Sequence, residues 1–133
     1  MRLWHTDIIP FLPKGQLLSQ WRELNSIFAK EDKHILINYI YDYPKDDLYV
    51  YTKKVIEEMT NRGYKIRTFD KMERYFHGLK EANVAQPFEQ HHNDEYLEIC
   101  YYNLKEKFIR GQKDYDEALF LKLDEYFNSR ILH

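Results

Sequence analysis

A Glu directly after an Arg, Arg22-Glu23 within QLLSQWRELNSIF, is the first place in this sequence where two groups with chemical potential stand together. Around them Leu17, Leu18, Trp21, Leu24, Ile27 and Phe28 recur at helical spacing, and the pair stands off that stripe. Neighbours on a helix point about 100° apart, so Arg22 and Glu23 do not form a good ion pair with each other. Either both are solvated surface residues, or both face something outside the chain. In the second case the carboxylate can move protons or stabilise positive charge, and the guanidinium can hold an anion.

Other groups carry a weaker signal. His91 and His92, followed by Asp94 and Glu95, lack the i, i+4 histidine spacing of a helical zinc site. Just before a predicted helix they read as a cap and a charged first turn, so neither a metal nor a cofactor is expected. The Tyr-rich runs INYIYDYP and ICYYNL have rings that can stack on bases, but core packing with a polar tip suits most of them better. Cys100 falls on the apolar stripe of its helix and reads as a small buried hydrophobe. Lys107, near a helix C-terminus, is ordinary there. The sequence has no Gly-rich phosphate loop, no Ser nucleophile elbow and no Cys with a catalytic-looking His beside it.

The elements that must position these groups are helical. A helix is predicted from about Lys14 to Ala29, after an irregular arm from Met1 to Leu12 punctuated by Pro10 and Pro13. Ile35, Ile37, Tyr39 and Tyr41 alternate like a strand, but Leu36 and Ile40 break the pattern; a short helix ending before Pro44 fits equally and is preferred. Leu48, Tyr51, Val55 and Met59 predict a second long helix, capped by Asp46 or Asp47 and closed by Gly63. DKMERYFHGL suggests a short helix closed by Gly78, followed by loop to Pro87. Asn93 or Asp94 caps a helix carrying Tyr96, Leu97, Cys100, Leu104 and Phe108, with Gly111 past its end. Asp114 or Asp116 opens a last one with Leu119, Leu123, Tyr126 and Phe127.

The totals agree with one all-α domain of four or five helices spanning 1–133. Gly and Pro are scarce, at four each, and 17% of residues are aromatic, which suits a compact helical core. A single cysteine rules out an internal disulfide. The N-terminal apolar run is too short for a signal peptide and no stretch has membrane-spanning length, so a cytoplasmic address is the expectation. The net charge of −2 counts against a nucleic-acid binder. Its distribution matters more: the first thirty residues hold Arg2, Lys14, Arg22 and Lys30 against Asp7 and Glu23 alone, while acid gathers in DYPKDD, EQHHNDEYLE and DYDEA.

Taken in order, MRLW, QLLSQWREL, NRGYKI and HHNDEYLEICYYNLKEK resemble the pyrimidine-dimer DNA glycosylase family, the UV-repair endonuclease V type. The likeness covers most of the chain. Lys33, His34, Asn38 and Tyr39, with the opening MRLWH, are similar to its bacterial branch.

That resemblance implies an all-α, endonuclease V (UV-repair)-like fold. It implies a DNA repair glycosylase with AP lyase activity on pyrimidine dimers or a related lesion in damaged double-stranded DNA. The nucleophile would be the α-amine at the chain start, forming an imine with the sugar, and Glu23 would assist it. Arg2, Arg22 and Lys107 match positions that contact DNA. No metal, cofactor or membrane is implied, and a monomer is expected. An Arg at position two ordinarily blocks removal of the initiator, so the amine would be that of Met1 itself. The chain departs from the family pattern at Ser26, Gln16 and Asn103, where the resemblance leads one to expect basic or DNA-contacting residues. Its tail, DYDEALFLKLDEYFNSRILH, is of mixed charge rather than aromatic and basic. Two alternatives follow from these departures: an abasic-site lyase of different lesion specificity, and a non-catalytic helical protein-binding domain that keeps the fold.

Overall fold

The computed structural model describes residues 2–80, 82–113 and 115–131. Five α-helices follow one another: α1 (Lys14–Lys30), α2 (Lys45–Asn61), α3 (Asp70–Tyr75), α4 (Asp94–Ile109) and α5 (Glu117–Ile131). Short 3-10 turns at Thr6–Phe11 and Asn38–Asp42 complete the regular structure, and no strand occurs among the described residues. The all-α expectation therefore holds. The stretch with strand-like alternation forms a turn and a 3-10 segment ending before Pro44, as its broken periodicity required.

α1 packs on α2 and α3, and α4 pairs with α5. The N-terminal 3-10 turn lies against both α2 and α5, so the arm is enclosed between the two groups of helices. One core cluster results, including Leu3, Ile8, Leu17, Leu24, Tyr51, Leu97 and Leu104, all fully buried. Burying each of the aliphatic members contributes roughly 1.5–3 kcal/mol.

Helix ends follow local chemistry in most cases. Asn93 caps α4 by accepting the Tyr96 N–H at 2.9 Å. Gly63 and Gly111 follow α2 and α4 at φ +81°, a conformation that side chains with a Cβ rarely adopt. α5 begins directly after Asp116, whose carbonyl accepts the Phe120 N–H at 3.0 Å; Asp114 lies outside the described residues.

The start of α2 differs from expectation. Pro44 stands at the cap and no side chain caps the helix. Asp47 is instead buried, and its Oδ2 accepts the Phe88 N–H at 2.9 Å. Phe88 is fully buried with φ +54°, a strained conformation for a bulky residue. The Asp47 bond and the rings of Tyr39, Tyr43 and Tyr51 around Phe88 hold it there. Asp47 thus spends its carboxylate on a distant loop rather than on its own helix.

Candidate active site

An extended arm has no ladder or helix to satisfy its backbone, yet Leu3 to Thr6 are buried here. Each buried N–H and C=O must therefore find a side chain. Gln20, fully buried on α1, supplies two bonds: its Oε1 accepts the Trp4 N–H at 2.8 Å, and its Nε2 donates to the Arg2 carbonyl at 3.4 Å. The Tyr96 hydroxyl donates to the Leu3 carbonyl at 2.5 Å. The Tyr51 hydroxyl lies 2.7 Å from the Trp4 carbonyl and 2.9 Å from Gln20 Oε1, and its single proton serves both. Three helices thus hold the backbone of residues 2–4.

His92 anchors Thr6. Its Nδ1 accepts the Thr6 N–H at 3.1 Å and stands 2.8 Å from Thr6 Oγ1. A backbone N–H can only donate, so Nδ1 is unprotonated and Nε2 carries the hydrogen. Nε2–H then donates to the Tyr39 hydroxyl at 2.6 Å. The Tyr39 ring lies edge-on to that of Tyr96 at 6.4 Å, and the Tyr96 hydroxyl ends on the Leu3 carbonyl. Burial, with help from His5 and His91, lowers the His92 pKa to about 2. His5, stacked on His92 at 5.3 Å, is lowered as well, chiefly by burial.

This arrangement sets a pH dependence. Unfolded His92 titrates near 6.5, and the folded ring only near 2. Between those values the unfolded chain binds a proton that the folded one refuses. Stability is therefore complete above pH ~6.5 and falls as the pH drops below it, by up to ~1.4 kcal/mol per pH unit for one such group. Urea midpoints should decline from pH 6.5 to 5, where carboxylates are still charged, and the decline should be shallower in His92→Gln. An equal slope in both proteins would contradict the assignment.

The arm is also clamped from the C-terminal side. Arg130 on α5 pairs with Asp7 at 2.5 Å and with Asp94 at 2.9 Å. Burial is the largest influence on Asp7 and works against its charge, but Arg130, His5 and Gln86 together overcome it and lower the Asp7 pKa.

Glu23 sits three residues beyond Gln20, on the same side of α1 and one turn on. It is half-buried, and its charge reaches the Tyr41 hydroxyl. Arg22 points elsewhere: it is exposed and donates to Ser19 Oγ at 2.9 Å, so the adjacent pair is not a mutual ion pair. The Arg2 charge acts on the Cys100 thiol on α4. Cys100 is buried, as expected, and burial raises its pKa to about 11 although Arg2 opposes the shift. Lys107, half-buried, lies seven residues further along α4, nearly on the same face and about 10 Å away along the axis. Arg2 is thus tied through its carbonyl to Gln20, one turn before Glu23, Lys107 lies farther along α4, and Arg22 faces solvent. Met1 lies outside the described residues.

Nothing in the sequence groups Gln20, Tyr39, Tyr51, His92 and Tyr96 into one site; a polar residue inside the apolar stripe of α1, as Gln20 is, is the kind of signal that marks a buried bond. His92 is no cap, because its two ring nitrogens are committed to Thr6 and Tyr39. Among the described residues no three His, Cys, Asp or Glu side chains are grouped to hold a metal, and no helix is long and apolar enough to cross a membrane.

Gln20 makes two of the arm's polar bonds and accepts a third from the Tyr51 hydroxyl. Gln20→Leu would strand the Trp4 N–H and weaken the Tyr51 contact, both away from water. A loss of roughly 2–4 kcal/mol is expected, since each unsatisfied buried group costs about 1–3 kcal/mol. Urea unfolding would measure it, and a loss below about 1 kcal/mol would show that the Gln20 bonds contribute little to seating the arm.

A family model described as pyrimidine dimer DNA glycosylase matches residues 1–72. Neither a curated protein nor a solved structure matches the chain. The matched span holds the arm, α1, α2 and the start of α3, and with them Arg2, Gln20, Arg22 and Glu23. His92, Tyr96, Lys107 and Arg130 lie beyond it.

Proposed function

The chain belongs to the pyrimidine dimer DNA glycosylase family, and from that premise we propose that it excises a base at a pyrimidine dimer in duplex DNA and then cuts the strand through an imine. The observation that carries this reading is the seating of the arm. Gln20 holds the Arg2 carbonyl one helical turn from Glu23, so the start of the chain is tied to the turn that bears the carboxylate.

The α-amine of Met1 is the proposed nucleophile. An α-amine has a reference pKa near 8, so a sizeable neutral fraction exists at neutral pH, unlike an exposed lysine. Its lone pair attacks C1′ of the damaged nucleotide. The bond from C1′ to the base breaks, and the base leaves with that electron pair and takes up a proton. The C1′–O4′ bond then opens, and the nitrogen shares its electrons with C1′ to form the iminium. Glu23, as carboxylate, stabilises the positive charge on the sugar and then accepts the C2′ proton. The C3′–O bond breaks and the 3′ phosphate departs; water later hydrolyses the imine and frees the amine. Splitting a hard displacement in this way is the gain of covalent catalysis. Arg2, Arg22 and Lys107 are proposed to hold phosphates on either side of the lesion.

The reading extends to a single domain over 1–133 acting as a monomer without a metal or cofactor. An abasic-site preference is the second reading. It is favoured by Ser26, exposed on α1 one turn beyond Glu23, where the resemblance leads one to expect a further cation. Incubating untagged protein with matched duplexes holding one cyclobutane dimer, one abasic site or no lesion separates the two. Cleavage at the dimer supports the glycosylase. Cleavage at the abasic site alone supports the second reading, and cleavage of neither removes both.

A further inference from the structure

The turn between α1 and the second 3-10 segment displays two apolar side chains for which the fold has no use. Ile35 is 86% exposed, the most exposed of the large hydrophobic residues described, and Leu36 is 39% exposed. This is no loose loop. The Ile37 and Asn38 N–H groups both donate to the His34 carbonyl, at 2.9 and 2.8 Å. The His34 N–H donates to Asn38 Oδ1 at 2.7 Å, and the Leu36 N–H to His34 Nδ1 at 3.2 Å. Ile37, fully buried, anchors the turn in the core. A rigid turn therefore holds Ile35 and Leu36 outward.

Its position relates it to the candidate site. Tyr41, just past the turn, donates its hydroxyl to the Asp32 carbonyl at 2.5 Å and lies within the field of Glu31, Asp32 and Glu23. Lys33 Nζ sits 3.5 Å over the Tyr41 ring. Glu23 is seven residues before Lys30, the last residue of α1, about 10 Å along the helix. The turn thus follows the end of α1 that lies about 10 Å beyond Glu23, within the span of a few stacked base pairs.

We propose that Ile35 and Leu36 form the wedge that enters the base stack beside the lesion, with Lys33 and His34 against the neighbouring phosphates. The proposal rests on the glycosylase reading above and adds how the sugar becomes reachable. Inside a duplex the C1′ carbon is shielded until a nucleotide leaves the stack, and that step costs free energy. Apolar side chains inserted between base steps are the common means of opening them, and basic neighbours suit the phosphates alongside. A stack of bases also accounts for a branched aliphatic side chain left in water on a rigid support.

The test uses a duplex with one lesion and 2-aminopurine paired opposite it, together with the same damaged strand free of its complement. The unaltered protein should raise 2-aminopurine fluorescence on binding and cut both substrates. In Ile35→Ser with Leu36→Ser, the fluorescence rise should vanish, and the ratio of duplex to single-strand cleavage should fall roughly tenfold or more. Thermal unfolding should match the parent, since both positions are exposed; Ile35→Ser alone, the milder change, should move the ratio in the same direction. Ile109→Ala, at the far end of α4 where Ile109 is 70% exposed, should leave fluorescence and ratio unchanged. A double variant that keeps both would overturn the wedge while leaving the glycosylase reading intact. Failure of the unaltered protein to cut either substrate would overturn both.

Discussion

Glu23→Gln is expected to give a protein that unfolds like its parent and cuts damaged duplex roughly a hundredfold or more slowly. The fold should be indifferent to the change. Glu23 is only half-buried and is not among the residues that close the core, and Gln has nearly the same shape. The chemistry should not be indifferent. Both proposed roles of Glu23, stabilising a cationic sugar and accepting the C2′ proton, need a charged, basic oxygen that an amide lacks, and a positioned acid–base group typically contributes 10²–10⁴-fold. Gel-resolved cleavage under single-turnover conditions, beside thermal unfolding, measures both halves. A folded variant with near-normal cleavage would remove Glu23 from the mechanism.

The second large effect is expected from covering the chain start. An uncleaved N-terminal extension turns the α-amine of Met1 into an amide, whose nitrogen is neither basic nor nucleophilic. Strand cleavage should be abolished. The side chains that seat the arm bond to residues 2–6 and are chemically untouched, as are Arg22 and Glu23, so folding and binding to damaged duplex should persist. A gel-shift and a cleavage assay on the extended and the C-terminally tagged protein would separate binding from chemistry. Equal cleavage by both would contradict the nucleophile.

What could be read from the sequence was local in origin. The register of α1 followed from Leu17, Leu24, Ile27 and Phe28, which bury together, although Leu18 and Trp21 only flank the core and Gln20 takes the place between them. Glycines 63 and 111 marked helix ends because a positive φ leaves a residue-type signature. Glu23 was legible through resemblance, and the bond from Gln20, one turn before it, to the arm needed the structure. The tyrosines and His92 showed the opposite limit. Their composition suggested packing, but their partners are backbone groups of the arm, 47 residues away for Tyr51 and Trp4 and 93 for Tyr96 and Leu3. No periodicity announces such a bond. Asp47 went astray for the same reason: its position looked like a cap, while its carboxylate was recruited by Phe88, 41 residues on.

The proposed nucleophile is the α-amine of Met1. Untagged protein incubated with abasic duplex in the presence of borohydride tests it most directly, because reduction freezes the imine as a stable link. Digestion and mass spectrometry then locate the attached sugar. The result expected is an adduct on the peptide beginning Met1-Arg2, absent when the N-terminus is blocked. An adduct on Lys107 or any other lysine, or undiminished trapping with the terminus blocked, would contradict it.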